Sequence, residues 1–310
     1  MIKYLITALA IVTLLGQDVY SQTSNRWKRM RYEVFGGVGA TNFLGELGGS
    51  NGSAGYIKDL EFSMTRPCYT IGGRYMLTEN LGWQASISHG WVKGDDKKTT
   101  EQYRSARNLN FRSQIVEVGT RLEYALLQTS KGHRYNLRKV KGRAGNRVTL
   151  DIFAGVAAFY FNPKGYDEET DKWYKLRPLG TEGQNYAKTR KPYSRISMSF
   201  PVGFNAKYML NRKWSIGLEY GIRPTLTDYI DDVSGTYADP ELIAENASES
   251  DKELVKRLAD PNANKYDENG KYVNMNQQRG DNKRNDMYMF MFITLNHKLR
   301  TTRKGLPSFN

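Results

Sequence analysis

The stretch SRISMSFPVGFNAKYML at 194–210, followed by NRK at 211–213 and WSIGLEY at 214–220, decides the fold. Ile196, Met198, Phe200, Val202, Phe204, Ala206, Tyr208 and Leu210 alternate with Arg195, Ser197, Ser199, Pro201, Gly203, Asn205, Lys207 and Met209. A period of two held over that length describes one long strand with an apolar and a polar face. Asn211 to Lys213 leaves room only for a tight turn, after which Trp214, Ile216, Leu218, Tyr220 and Ile222 resume the apolar side against Ser215, Gly217, Glu219, Gly221 and Arg223. Strands of globular proteins run about 5 to 6 residues, whereas a strand crossing a bilayer at a tilt needs about 9 to 11. The pair has membrane length, and Tyr208, Trp214 and Tyr220 lie near the strand ends, where transmembrane barrels carry their aromatic girdles. Period alone does not say which face points out, so a soluble lipocalin-like barrel with its apolar face inward is the competing reading.

Working outward from this hairpin, the N-terminus has Lys3, an apolar run from Leu5 to Leu15, and Val19 and Ser21 placed as small-residue cleavage determinants. That pattern predicts a secretory signal peptide over 1–21 and a barrel domain over 22–310. Gln22 follows the expected cut, so a lipoprotein cysteine is not indicated. No other apolar run approaches the ~20 residues of a membrane-spanning helix. Long amphipathic strands in an exported chain point to an outer-membrane barrel, since only helices and closed barrels satisfy their backbone in lipid. Cys68 is the single cysteine, which excludes an internal disulfide and a cysteine metal cluster. The 21 Tyr, 5 Trp and 29 Gly suit aromatic girdles and close packing inside a barrel.

The remaining strands are expected at Tyr32–Ala40, Cys68–Leu77 with Arg74 on the polar side, Leu81–Trp91, Phe111–Leu126, Val148–Phe161 and Met287–Leu299. Connections after the first, third, fifth and seventh strands are long, and those after the second and sixth are tight. This is the asymmetry of short periplasmic turns and long external loops; Gln128 to Asn146 is its one exception. The fold class is therefore all-β, an eight-stranded antiparallel transmembrane β-barrel with long extracellular loops. In the fourth loop, Asp239 before Pro240 predicts a helix start, and Ser250 with Glu253 resembles a capping box ahead of Leu254, Val255 and Leu258.

With apolar faces toward lipid, the strand charges point into the lumen: Glu33, Arg74, Glu117, Arg121, Glu123, Asp151, Arg195, Lys207, Glu219, Arg223 and Lys298. The two signs nearly balance, and an eight-stranded barrel is only wide enough to be filled by its own side chains. Buried charges persist when paired, so the expectation is a plugged barrel with an ion-pair core. The rest of the charge is one-sided. Arg26, Lys28, Arg29 and Arg31, the turn residues Lys131, Arg134, Arg138, Lys139, Lys141, Arg143 and Arg147, then Arg212, Lys213, Arg300, Arg303 and Lys304 face one acid, Glu79. A basic periplasmic face attracts an acidic partner or anionic lipid heads, although rim cations also simply snorkel. Lys131 to Arg147 is the candidate partner-binding segment, and the compartment excludes nucleic acid.

Other motifs are weak. GGVGATNFLG at 36–45 has the glycines of a nucleotide loop but not their spacing, and close barrel packing accounts for them. Asp228, Asp231 and Asp232 could hold a cation, yet turn and helix capping explain them better. His89 and His297 fall on the lipid-facing register and His133 in the basic turn. No Ser/His/Asp set, paired catalytic carboxylates, metal site or cofactor motif stands out, and the chain reads as non-enzymatic.

The segments GGVGATNFLGELGG, ARNLNFRSQIVEVGTRLEYALL, DYIDDVSGTYADPEL and QQRGDNKRNDMYMFMFITL resemble the PorG-like outer-membrane barrel family of Bacteroidota. The resemblance covers most of the mature chain. It implies, for the type member, a component of the type IX secretion system, associated on the periplasmic side with ring proteins of the PorK and PorN kind. Outer-membrane lipid and lipopolysaccharide are expected as further partners of such a barrel. It brings no catalytic residues. The alternatives are a general surface barrel, an adhesin or envelope-stability protein with ligand-binding loops, and a lipid-modifying enzyme, which needs a reactive pair beside a histidine such as His89.

Overall fold

The computed structural model describes residues 27–45, 47, 64–98, 107–128, 147–184, 190–261, 273–274, 277–302 and 306–308. Its strands are β1 (Tyr32–Leu44), β2 (Arg66–Met76), β3 (Leu81–Asp95), β4 (Asn110–Leu127), β5 (Val148–Asp167), β6 (Lys172–Lys175), β7 (Ile196–Ser199), β8 (Val202–Met209), β9 (Trp214–Pro224), β10 (Met287–Thr301) and β11 (Pro307–Ser308). Neighbours pair antiparallel in the order β1-β2-β3-β4-β5-β8-β9-β10, and β1 pairs back onto β10 from Tyr32↔Leu299 to Leu44↔Met287. With β7 and β8 forming one stave, the result is a closed antiparallel ring of eight. Closure leaves the ring no unpaired edge.

Which face points out is settled by burial. Ile71 is 66% exposed, Ile293 60% and Val38 58%, whereas Arg223 is 2%, Glu219 3% and Arg74 4% exposed. A water-soluble barrel would bury the first set and solvate the second. The inversion belongs to a cylinder surrounded by hydrocarbon, which removes the lipocalin-like alternative.

The quoted strand is not continuous. It breaks at Phe200 and Pro201, because Pro201 has no N–H to give to a ladder. Its carbonyl still accepts from Gly155 N at 2.9 Å, and Phe200 N turns to the Pro224 carbonyl at 2.9 Å. The phase survives: Ile196, Met198, Phe200, Val202 and Phe204 all remain exposed.

Several staves outrun the expected bounds at the long-loop end. β1 continues through Leu44, β3 to Asp95 and β5 to Asp167. The segment expected as loop after Phe161 instead folds back, β6 pairing with β5 from Lys164↔Lys175 to Asp167↔Lys172. A one-turn helix, α1 (Leu176–Leu179), follows. In the fourth loop lie α2 (Pro240–Glu245) and α3 (Lys252–Ala259). Asp239 caps α2, accepting from Glu241 N at 2.9 Å, with Pro240 in the first turn. The capping box expected on Ser250 is not formed. Asp251 is the residue before α3, and Ser250 Oγ instead donates to Asp251 at 3.4 Å. Leu254, Val255 and Leu258 of α3 pack with Ile243 of α2 and with Leu176 and Leu179 of α1.

The lumen has two storeys. Toward the long loops it is filled by Phe111, Phe159, Phe161, Tyr288, Phe290 and Phe292, with Ile230 and Val233 of the fourth loop inserted among them. Toward the tight turns it holds charge. The predicted signal peptide at 1–21 lies outside the described residues.

Candidate functional site

The charged storey is assembled from inward positions on successive staves. The Arg74 guanidinium of β2 contacts both Glu33 and Glu123 and donates to Gln84 Oε1 at 2.8 Å. Gln84 Oε1 also accepts from Arg121 Nη2 at 3.1 Å. Arg121 reaches Glu123 at 2.9 Å and Glu219, on the far wall, at 2.5 Å. Arg223 then lies 3.8 Å from Glu219 and 3.6 Å from Glu117. Glu117 accepts from the Tyr288 hydroxyl at 2.5 Å and from Ser199 Oγ at 3.5 Å. A single chain of alternating charges thus runs from Glu33 near the tight-turn end to the base of the aromatic storey. Lys207 and Asp151 form a separate pair at 2.8 Å, and Lys298 stands opposite Glu33 across the closing seam.

Aromatic rings complete the fill. The guanidinium of Arg121 lies 3.9 Å from the Phe153 centroid, that of Arg223 4.6 Å from Phe290 and that of Arg74 5.5 Å from Phe35. Flat cations between carboxylates and ring faces are a favourable way to bury arginine. In the sequence Phe35 shares the polar register of Glu33, and Phe153 and Phe292 stand on the polar register of their strands in the same way; that placement is the signal for inward aromatics.

Arg195 departs from expectation. It lies outside the charge chain, with its guanidinium 5.6 Å from the Tyr160 centroid and donating to the Tyr160 hydroxyl at 3.4 Å. The reason is its level. Its backbone carbonyl pairs with Phe161 N, so the inward space beside it is the aromatic storey, and an unpaired guanidinium there would be desolvated without a counter-ion.

Above the barrel the long loops are tied by buried charge. Arg107 pairs with Asp96 at 2.7 Å and donates to the Arg279 carbonyl at 2.7 Å. Arg279 pairs with Glu182 at 3.1 Å and donates to the Asp232 carbonyl at 2.6 Å. Glu182 accepts from Ser234 N and Gly235 N at 3.0 and 3.1 Å. Arg257 of α3 holds Asp167 at the tip of β5 by two hydrogen bonds of 2.8 and 2.9 Å. Of the three aspartates weighed as cation ligands, Asp232 accepts from Tyr193 at 2.6 Å and from Thr181, and Asp231 Oδ1 accepts from Val233 N at 3.0 Å. Asp231 and Asp232 act as turn and loop ties. Burial pushes the Asp232 carboxyl up to about 6, against the opposing pull of Arg279 and the two hydroxyl donors.

At the opposite end, Lys28, Arg29, Arg147, Arg212 and Arg300 are exposed around the tight-turn rim. Arg31 lies 4.6 Å over the Trp27 ring. Of the candidate partner-binding segment, Lys131, Arg134, Arg138, Lys139, Lys141 and Arg143 lie outside the described residues. Arg147 is described, its carbonyl accepting from Met209 N at 2.9 Å. His89 packs on Trp91 and His297 on Trp214, each at 4.3 Å between ring centroids.

Apolar outside, ion-paired inside and closed on itself, the chain is a β-barrel of the outer-membrane type. No family model and no curated protein matches it. Among solved structures it is similar to neisserial surface protein A, at 7% identity and a TM-score of 0.36 over 86% of this chain and 96% of that one. It is also similar to Ail, the attachment invasion locus protein of Yersinia pestis, at 8% identity and 0.36 over 87% and 98%. The outer membrane protein OprG of Pseudomonas aeruginosa matches at 10% identity and 0.33 over 87% and 96%.

Proposed function

We propose that the protein is a non-enzymatic anchor of the outer membrane, docking a type IX secretion machine through its basic periplasmic rim. The observation that carries this reading is the filled lumen. An alternating ion-pair chain beneath a plug of phenylalanines offers solutes no path, so the work falls to the rims. The tight-turn rim displays exposed Lys28, Arg29, Arg147, Arg212 and Arg300, and the sequence adds Lys131 to Arg143 between Arg147 and the end of β4. The resemblance to PorG-like barrels supplies a partner of the required kind, a periplasmic ring of PorK- and PorN-like proteins.

Reversing Lys139, Lys141 and Arg143 to Glu should abolish co-purification with the ring proteins while the barrel keeps its heat-modifiable gel shift. Unchanged co-purification would remove the docking claim. A second reading, a surface barrel binding ligands through its loops, is favoured by the buried Arg107, Glu182 and Arg279 ties that give those loops a fixed shape. Cells lacking such a barrel would secrete normally and lose adhesion.

A further inference from the structure

One patch on the barrel wall breaks the apolar exterior in an ordered way. In successive pairings Lys93 lies across from Arg112, Arg112 from Lys164, and Lys164 from Lys175, so β3 to β6 carry a single row of four cations at one level. Arg112 and Lys175 are exposed, and Lys93 and Lys164 half-buried. Trp173 stands on the loop side of the row, its centroid 4.3 Å from the Arg112 guanidinium and 6.0 Å from the Lys93 ammonium. Nearby acids are already engaged. Asp95 lies 3.8 Å from Lys93 itself, Glu168 pairs with Lys97 and Glu169 with Arg257. Among the described residues, Arg112, Lys164 and Lys175 make no ion pair.

The level of the row identifies its neighbour. Directly below, on the same strands and the same face, come Trp91, Gln114 and Asn162, then His89, Val116 and Tyr160, then Ile87, Val118 and Ala158. Trp83 and Trp91 bracket the apolar band on β3. At ~3.3 Å per residue the rise between them is about 26 Å along the strand, or ~20 Å along the membrane normal at a tilt of ~40°, close to the ~25 Å band of such barrels. The row therefore stands one step beyond the outer aromatic girdle, at the depth of lipid headgroups in the outer leaflet. Strands lie ~4.8 Å apart, so four of them spread the charge over about 14 Å. On the other side of the barrel the same end of the wall is apolar, with Ile222 and Pro224 on β9 and Met287 on β10.

We propose that Lys93, Arg112, Lys164 and Lys175 seat the phosphorylated headgroup of an outer-leaflet glycolipid whose acyl chains lie on the apolar face beneath. From the row the wall grades through the amides of Gln114 and Asn162, beside Trp91, to the apolar Val116, Ile87, Val118 and Ala158, and an amphiphile with an anionic head matches that order. The site is at the rim opposite Arg147 and the tight turns, so it and the docking reading can fail independently.

The test measures retention of bisphosphorylated lipid A by the purified full-length barrel in phosphatidylcholine nanodiscs, read by native mass spectrometry. A cation near an anionic lipid surface is worth roughly fivefold in affinity, so Arg112→Gln, Lys164→Gln and Lys175→Gln together should weaken retention by on the order of 100-fold. Arg112→Lys should retain most of it, and Arg212→Gln with Lys213→Gln all of it. A heat-modifiable shift in the triple variant separates loss of binding from loss of fold. Undiminished retention by the triple variant overturns the proposal. Equal retention of dephosphorylated lipid A or of phosphatidylglycerol also overturns it, as does saturable binding of inorganic phosphate alone that the triple variant loses.

Discussion

Arg121 joins the two walls of the lumen, contacting Glu123 beside it and Glu219 across from it. Removing one partner from a buried pair leaves the other charge uncompensated, so Arg121→Ala should cost about 3–5 kcal/mol, read as a lower urea midpoint for loss of the folded gel band. Arg121→Met with Glu219→Gln takes out opposite charges together and should lose much less, because Glu123 keeps Arg74 and Arg223 keeps Glu117. Asp232 gives a pH signature of its own. Its folded carboxyl titrates at about 6, above the ~3.9 of an unfolded aspartate. The folded state thus binds more protons in that window, and stability falls as pH rises through it. The loops should be better protected from protease at pH 5 than at pH 7, and Asp232→Asn should flatten the difference. Asp167 has the opposite sign: the Arg257 hydrogen bond holds its carboxyl low, so its tie to α3 is lost only on stronger acidification. Parity along a strand shows which charges face inward, which is why Glu33, Arg74 and Glu219 were legible. It does not report height, and Arg195 is inward-phased at a level where only aromatic rings await it.

Among the elements, the closing seam between β1 and β10 imposes the tightest demand. A Cβ on Gly39 would run into the Met291 carbonyl of β10. That is backbone, which cannot swing aside as a side chain can. Gly39→Val should lower the folded, fast-migrating fraction several-fold, since overpacking against backbone forces the strands apart. Gly37 meets the same approach, since a Cβ there would lie 3.0 Å from the Ile293 carbonyl, whereas one on Gly36 would meet nothing nearer than the Thr70 carbonyl at 4.0 Å and so owes nothing to close packing. Strand existence was legible from period, but strand length was not: β3 and β5 run on past Trp91 and Phe161 through residues such as Lys93 and Lys164 that read as loop. Pro201 carried a visible warning of a break, yet the unbroken alternation of its neighbours concealed it. Asp239 with Pro240 predicted α2 because capping is local. The ties of Arg107 to Asp96 and Arg279 to Glu182 join segments far apart in sequence, and no local pattern announces them.

For the molecule as a whole, the filled interior predicts an absence of conduction. Planar bilayers containing the purified barrel should show no stepwise current, and stable unitary steps would contradict a lumen closed by Arg121, Arg223 and the Phe159 to Phe292 cluster. The staves are also of unequal height. β3, β4 and β5 stand taller at the outer end than β9 and β10, which meet at Pro224↔Met287. A cylinder with a sloping rim is not the same from every compass bearing. Molecules diffusing in the plane of the bilayer meet a high parapet on one flank and a low greasy sill on the other, so any lateral neighbour is sorted by bearing before it makes a single specific contact.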